Sequence, residues 1–177
     1  VNMQYTPGTT GFPKGVMLTH VNIVNNGWWI GRHQDLGPAD RICLPVPLFH
    51  CFGCVLGVMA FVSHGATMVI IDAFNPLQVL GAIESERCTG VYGVPSMLLS
   101  ILEHRHFPRY DLSTLRTGIM AGSVCPATLM RRAVNEMNLR ELTICYGLTE
   151  GSTVMAQTHA DEDFEHKTTT VGRPMPG

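Results

Sequence analysis

Charged residues are scarce in this chain of 177 residues, in which twelve Lys and Arg and fourteen Asp and Glu give a formal net charge of −2. The basic residues are scattered, so the sequence has no basic cluster of the kind that binds nucleic acid or a membrane surface. Hydrophobic residues make up 45% of the chain, which excludes a disordered segment. We therefore expect a globular unit that does not bind nucleic acid.

Long apolar runs are also missing. The longest, residues 55–62, is broken by Gly57 and is well short of the ~20 residues that cross a bilayer. We therefore predict no transmembrane segment. The chain begins at Val1 rather than Met and ends within "GRPMPG", so we interpret it as a segment of a longer protein. A cytoplasmic compartment is expected for that protein, and a homo-oligomer is compatible with the sequence.

Cysteine spacings that are typical of metal sites are nearly absent. Cys51 and Cys54 form a C-x-x-C pair, but no second pair follows at the spacing of a zinc site. A redox or zinc role for this pair is the alternative to small buried thiols in a reducing compartment, which we favour for all six cysteines.

Short apolar runs alternate with helical patterns, which predicts an α/β fold with a mostly parallel sheet flanked by helices. Strands are predicted at 41–44, within 65–74, and at the starts of "TGVYGVP", "LRTGIMAGS" and "LTICYGLTEGS". One helix is predicted after the cap Thr19, with apolar positions Val21, Val24 and Trp28. Two more are predicted from Asn75 to Cys88 and from Pro126 to Asn138. A further helix is predicted to begin at Ser96, with Leu98, Leu99, Ile101 and Leu102 facing inward.

Polar loops follow two of these strands, at residues 121–123 and 146–150. Ligands of open parallel sheets bind at the carboxyl ends of the strands. The second loop lies in "CYGLTEG", where a ring, a hydroxyl and a carboxylate follow one another, and Glu150 is a hard oxygen ligand suited to Mg²⁺.

The stretch "YTPGTTGFPKGVMLTH", residues 5–20, predicts a phosphate-binding loop that runs into a helix. Its glycines allow close backbone approach, its threonines offer hydroxyls, and Lys14 adds a cation. It is not a Walker loop, because Pro13 precedes Lys14 and Gly15 follows it. An ordinary Gly/Thr turn is the alternative. In "PLFHCFG", His50 is either a packed core residue or part of a pocket lined by the apolar run that follows.

In this order, "YTPGTTGFPKGVMLTH", "PLFHCFG", "GIMAGSVCP", "YGLTE" and "GRPMPG" resemble the adenylate-forming superfamily and, within it, the fatty acyl-CoA synthetases. The likeness covers essentially all 177 residues. It implies that residues 1–177 are the central part of the large N-terminal adenylation domain, without the small C-terminal domain. It also implies small-molecule substrates: a fatty acid, ATP with Mg²⁺, and CoA. The acid would be converted to an acyl-adenylate and then to an acyl-CoA thioester.

The resemblance also implies roles for individual residues. The triphosphate would be held by Thr6, Gly8, Thr9, Thr10, Gly11 and Lys14. The adenine and phosphate side would include Gly122, Ser123, Tyr146, Gly147 and Thr149, with Glu150 on Mg²⁺. His50, Gly53 and Gly122 would border the acyl carboxylate, and the catalytic residues would be Lys14, Thr149 and Glu150.

Two departures from the pattern of this family keep other interpretations of the function open. Pro7 stands where family loops usually carry Ser or Gly, which removes an N–H and a hydroxyl and is the only support for a non-catalytic nucleotide-binding relic. The ribose-binding aspartate, the hinge and the C-terminal lysine of the family lie beyond Gly177. An amino-acid adenylation domain is a second rival, but it usually needs an acidic partner for the substrate ammonium, and residues 43–71 contain no Asp or Glu.

We expect the 177-residue chain alone to make no acyl-CoA, because it lacks the ribose contact and the C-terminal lysine that the resemblance places outside it. The measurement is thioester formation with ATP, CoA, Mg²⁺ and medium- or long-chain fatty acids. Turnover clearly above the protein-free background would contradict this expectation.

Overall fold

The structure is a computed structural model that describes residues 2–7 and 11–176. Its main sheet has seven strands in the order β4-β3-β5-β6-β7-β8-β9, and a separate hairpin is formed by β1 and β2. The strands are β1 Asn2–Thr6, β2 Lys14–Leu18, β3 Arg41–Leu44, β4 Thr67–Ile70, β5 Gly90–Gly93, β6 Thr117–Met120, β7 Glu141–Tyr146, β8 Ala156–Gln157 and β9 Arg173–Pro174. Strands β3 to β7 are parallel, and β8 and β9 join antiparallel. The predicted α/β class with a mostly parallel sheet is confirmed.

Helices cover both faces of the sheet. They are α1 His20–His33, a π-helix Phe52–Met59, α2 Ala60–His64, α3 Pro76–Ser85, α4 Pro95–Leu102, α5 Ala127–Glu136 and α6 Phe164–Thr169. One core cluster joins the sheet to α3, α4 and α5, and the other joins it to α1, the π-helix and α2. The neighbours Val91 and Tyr92 on β5 belong to opposite clusters, as the two-residue period of a strand requires. In the part of the chain that the structure describes, no helix is both long and apolar enough to cross a membrane.

The predicted helix after Thr19 is confirmed, and Thr19 forms a capping box with Asn22. The apolar positions Val21, Val24 and Trp28 are nevertheless exposed. The buried side of α1 instead contains Gly27 and Gly31, where a Cβ would lie 2.4 Å from Met59 Cβ and 2.4 Å from His64 Nδ1. The helix therefore packs closely through its small residues.

Several predicted boundaries were wrong. The loop before α1 does not run into that helix, because β2 pairs with β1 and intervenes. Helix α3 ends at Ser85 rather than Cys88, since Arg87 has a left-handed φ of 50°. Helix α4 begins at Pro95, where proline suits the first turn, and its Leu99 is 39% exposed rather than packed inward.

The amino ends of four parallel strands are joined by one charge cluster. Arg116 donates from Nε and Nη2 to the Asp40 carboxylate at 3.2 and 2.8 Å, and its Nη1 pairs with Glu141. Thr89 donates its hydroxyl to Asp40 at 2.6 Å. Burial opposes ionisation of Asp40, but its bonds, led by that from Arg116, still hold the pKa of this carboxyl below its ordinary value. The opposite edge of the sheet is left for the candidate site.

A buried asparagine on α1 fixes the segment that follows β7. Asn26 Nδ2 donates to the Val154 carbonyl at 2.7 Å, and Val154 N–H donates to Asn26 Oδ1 at 3.1 Å. This pair of bonds satisfies both backbone groups of a residue that is only 2% exposed. The position of Val154 therefore depends on a side chain far away in sequence.

We expect Asn26→Ala to lower the free energy of unfolding by about 2–4 kcal/mol, because it leaves the buried N–H and C=O of Val154 without their partners. Urea unfolding measures this change. Asn25→Ala, at an exposed position of the same helix, is the matched control and should change stability by less than about 1 kcal/mol. Equal losses in the two variants would show that the paired bonds are not what Asn26 contributes.

Candidate functional site

A cavity of about 510 Å³ lies at the carboxyl ends of β6 and β7, facing the hairpin of β1 and β2. Such an edge is where open parallel sheets bind ligands. Six residues predicted from sequence to act in the site line it: Thr6, His50, Gly122, Gly147, Thr149 and Glu150. Their segments are distant in sequence, and the parallel sheet brings them together.

A second cavity, of about 870 Å³, adjoins the first and shares Gly122 and Gly147 with it. Ser123 and Tyr146 line this second cavity, opposite residues 168–172. Tyr146 is 52% exposed, which leaves its ring free to stack on a flat ligand. Together the two cavities form a groove across the ends of β6 and β7.

The two glycines between the cavities are required by their surroundings. Gly122 has a φ of +91°, and its Cβ would lie 3.0 Å from Val94 Cγ1. A Cβ on Gly147 would lie 1.6 Å from the Thr153 carbonyl oxygen. Any larger residue at Gly147 would push apart the backbone that forms the wall of the groove.

Lys14 and Glu150 form an ion pair beside the first cavity. Lys14 is the first residue of β2, and Glu150 lies in a 3₁₀ turn, Thr149–Gly151, directly after β7. The hydrogen bond from Lys14 holds the pKa of Glu150 below its ordinary value. Both side chains remain partly exposed, at 56% and 39%, so they are accessible to a ligand.

Hydroxyl groups of the first cavity are buried without a partner among the described residues. They are Thr6 Oγ1 and Thr153 Oγ1. Buried polar atoms in native proteins almost always have a hydrogen-bond partner. Thr149, which is 8% exposed, has Cys51 Sγ at 3.5 Å from its Oγ1. The cavity therefore combines unsatisfied hydroxyls with an ammonium and a carboxylate at its edge, as an anionic ligand with a metal ion would need.

His50 has a defined tautomer. Its Nδ1 accepts a hydrogen bond from the Phe52 N–H at 3.0 Å, so in the neutral ring the proton is on Nε2. The opposite nitrogen of the ring is therefore a donor. His50 lines the first cavity together with the apolar residues Phe52, Leu56 and Ala121.

The remaining predicted residues have other surroundings. Gly53 lies within the π-helix, where a Cβ would meet the Pro47 carbonyl oxygen at 2.3 Å, so it permits close packing under the cavity wall. Gly11 has a φ of +91° and is exposed. Gly8, Thr9 and Thr10 lie outside the described residues.

Sequence reasoning missed some residues of the groove. Residues 168–172 line the second cavity; no strand end or motif marks residues 168–171 in the sequence, and Gly172, the first residue of "GRPMPG", was given no role in the site. Cys145 lines both cavities, and its place at the end of β7 was the signal that could have found it. Gln4 and Thr153 also line the first cavity without a motif to mark them.

The cysteines of the C-x-x-C pair have different partners. Cys51 contacts Thr149, whereas Cys54 Sγ accepts from Gln4 Nε2 at 2.9 Å and from Asn2 Nδ2 at 3.5 Å. Burial raises the pKa of Cys54, and that of Cys125 to about 11, which makes these thiols unreactive. All six cysteines are free: three are buried and three are half-buried.

The chemistry of the donors at this site fits Mg²⁺ bound with phosphate. Mg²⁺ is usually held by one or two carboxylates together with substrate phosphates and water, and Glu150 supplies one accessible carboxylate. Among residues 2–7 and 11–176, no group of three or more His, Cys, Asp or Glu could hold a metal on its own. Glu150 could hold the ion together with a phosphorylated ligand.

A model of the AMP-binding enzyme family matches residues 1–177. The chain is 53% identical over 176 residues to "Putative acyl-CoA synthetase YngI" of Bacillus subtilis (strain 168), covering 99% of this chain and 32% of that protein. It is 42% identical over 181 residues to the mitochondrial medium-chain acyl-CoA ligase ACSF2 of Bos taurus, covering 99% and 29%. The chain thus spans about a third of the length of these relatives.

Solved structures of related enzymes share the fold. The N-terminal domain of FACL13 from Mycobacterium tuberculosis, bound to an inhibitor, matches with a TM-score of 0.84 and 27% identity over 97% of this chain and 42% of that one. The o-succinylbenzoate CoA synthetase MenE of Bacillus subtilis, in complex with ATP and magnesium ion, matches with a TM-score of 0.81 and 27% identity over 98% and 35%.

Pro7 lines the first cavity next to Thr6, so Pro7→Ser tests its effect directly. We expect a modest gain in ATP affinity of the full-length protein, below about tenfold. A well-aligned donor to a charged phosphate contributes about 1.5–3 kcal/mol, but the sequence of the loop offers several other donors. Calorimetric titration measures the affinity.

Pro13→Ser, at an exposed position of the same loop, is the matched control and should leave the affinity unchanged. An unchanged or weaker affinity with Pro7→Ser would show that the fixed φ of proline organises the turn instead. A parent protein that binds ATP only after Pro7→Ser would support the relic interpretation.

Proposed function

The chain belongs to the AMP-binding enzyme family, and on that basis we propose that it is the central part of the large domain of an acyl-CoA synthetase. The full-length protein would be an ATP-dependent acid–thiol ligase. A carboxylate oxygen of a fatty acid attacks the α-phosphorus of ATP, and pyrophosphate leaves. The sulfur of CoA then attacks the acyl carbon, and AMP leaves.

The observation that supports this proposal best is that Thr149 and Glu150 line one cavity with unsatisfied hydroxyls, while Lys14 pairs with Glu150 beside it. An ammonium and hydroxyl donors suit the oxygens of a triphosphate, and the carboxylate suits Mg²⁺. Lys14 comes from the hairpin, and Thr149 and Glu150 come from the turn after β7. Only folding brings these two parts of the chain together. A set of donors and one metal ligand with this chemistry is typical of a site for phosphoryl or nucleotidyl chemistry.

The attack of one anion on another is slow unless the developing negative charge is stabilised. Lys14 would hold the phosphates and Thr149 would donate its hydroxyl to them, so that both donors are in place before the reaction begins. Loss of one such fixed donor typically lowers the rate by ~10²–10³. Mg²⁺ held by Glu150 would supply a Lewis acid that neutralises phosphate charge.

The acid would lie on the other side of the groove. His50 would donate from Nε2–H to an oxygen of the acyl carboxylate, because its Nδ1 already accepts from the backbone. Phe52 and Leu56 give this part of the cavity an apolar wall, which suits an aliphatic chain. Tyr146 would stack on the adenine in the second cavity.

Two other candidate functions are less well supported. An amino-acid adenylation domain needs an acidic partner for the substrate ammonium, and Glu150, the one acidic residue among the described residues that line the first cavity, is paired with Lys14. A nucleotide-binding relic is favoured only by Pro7. A cytoplasmic compartment stays a prediction, because the similar ACSF2 of Bos taurus is named as mitochondrial.

In the full-length protein, we expect Glu150→Gln to slow pyrophosphate release at limiting Mg²⁺ by tenfold or more, since Gln keeps the shape but loses the charge that attracts the ion. Release of pyrophosphate in the presence of fatty acid and ATP measures this step.

Glu136→Gln is the matched control, because Glu136 is also a partly exposed carboxylate in an ion pair, with Arg132 on α5. It should leave the rate unchanged, and neither variant should lose thermal stability. A normal rate for Glu150→Gln at limiting Mg²⁺ would show that Glu150 is not the metal ligand.

A further inference from the structure

The two side chains that the proposed function assigns to phosphate and to Mg²⁺ are bonded to each other. The Lys14 ammonium and the Glu150 carboxylate form a direct ion pair across the gap between the hairpin and the end of β7. Each group therefore occupies the place of the ligand proposed for the other. The Lys14 ammonium lies where Mg²⁺ would bind the Glu150 carboxylate, and the Glu150 carboxylate lies where a phosphate would bind the Lys14 ammonium.

Among the described residues of the first cavity, no other charged side chain can take either place. Among the described residues that line the first cavity, Glu150 is the only Asp, Glu, Lys or Arg. If Lys14 turns to a phosphate, Glu150 becomes an unpaired carboxylate beside a highly charged anion, and like charges at short range repel. A divalent cation that bridges Glu150 and the phosphate removes this repulsion.

We propose that Lys14 and Glu150 exchange partners when nucleotide and metal bind, so that Mg²⁺ replaces Lys14 on Glu150 and the triphosphate replaces Glu150 on Lys14. This inference rests on the proposed function for the identity of the ligands. Its consequence is that metal and nucleotide bind as one unit, because either ligand alone breaks the pair and leaves one charge without a partner. Binding of one ligand therefore strengthens binding of the other by the same factor.

The position of the pair makes the exchange local. Lys14 is directly opposite Thr6 in the hairpin register, and Glu150 directly follows Thr149. Thr6 and Thr149 both line the first cavity. Rotation of two partly exposed side chains is enough to move both charges onto a ligand in that cavity, and the buried core does not have to change.

The test measures the affinity of the full-length protein for a non-hydrolysable ATP analogue by calorimetry, once with EDTA and once with Mg²⁺. In the unmodified protein we expect Mg²⁺ to tighten binding. In Glu150→Gln, metal-free binding should become roughly threefold to tenfold tighter, since Lys14 is released and the repulsion is gone. The effect of Mg²⁺ should then nearly disappear.

The outcomes separate the exchange from the proposed function. If Glu150→Gln weakens only the Mg²⁺-bound form and leaves metal-free binding unchanged, Glu150 holds the metal but the exchange is wrong. If Glu150→Gln changes neither affinity, the metal role of Glu150 is wrong and the exchange fails with it. Glu136→Gln, which also removes an ion-paired carboxylate, should change neither affinity.

A second variant distinguishes the exchange from simple repulsion. Lys14→Met removes the ammonium, so adding Glu150→Gln to it should produce less than half of the metal-free gain that Glu150→Gln produces alone. Non-additivity of this kind is what a double-mutant cycle measures for two groups in contact. An undiminished gain in the Lys14→Met background would overturn the exchange, because the effect of Glu150 would then not depend on Lys14.

Discussion

The contact of Arg116 with Asp40 and Glu141 holds the amino ends of the parallel strands, and the geometry of the groove depends on it. Through these bonds, and through Thr89, the starts of β3, β5, β6 and β7 are placed side by side. Strands of similar length that start together also end together, so the loops after β6 and β7 open at one edge. The charges that align the sheet thereby lie at the opposite end of the strands from the groove, where Glu150 follows β7.

Close approach of backbones completes the groove. Gly118 on β6 lies where a Cβ would be 2.4 Å from the Val91 carbonyl oxygen of the neighbouring strand. Gly147, just past the end of β7, has the Thr153 carbonyl in the corresponding space. Next to Thr153, Asn26 fixes Val154 through two buried hydrogen bonds. Close backbone packing at the two glycines and the two hydrogen bonds of Asn26 therefore define the walls against which a ligand would lie.

Much of the sheet could be predicted because its strands carry a local signal. The run around Val69 and the cluster around Val91 are β-branched and bounded by turn residues, and both became strands.

The hairpin of β1 and β2 was missed because its glycines and prolines favoured a loop, and its pairing is visible only in three dimensions. The π-helix was missed because an apolar run does not show which hydrogen-bond pattern it adopts. Leu99 was placed inward by periodicity, but it is 39% exposed. For the candidate site, the motifs pointed to His50, Thr149 and Glu150, which line the first cavity and whose roles stay predictions. The contact between Lys14 and Glu150 joins segments distant in sequence, so neither motif predicts it.

The hairpin of β1 and β2 is a two-stranded sheet separate from the main one, and a hairpin of this size is at best marginally stable by itself in water. Its order must come from its contacts with the body, among them the bonds of Gln4 to Cys54 and of Lys14 to Glu150 and the burial of Leu18. We therefore expect the amides of β1 and β2 to exchange through local opening of the hairpin rather than through global unfolding. A ligand that bridges the hairpin and the end of β7 protects those amides from exchange. Ligand binding and the local folding of the hairpin are therefore coupled.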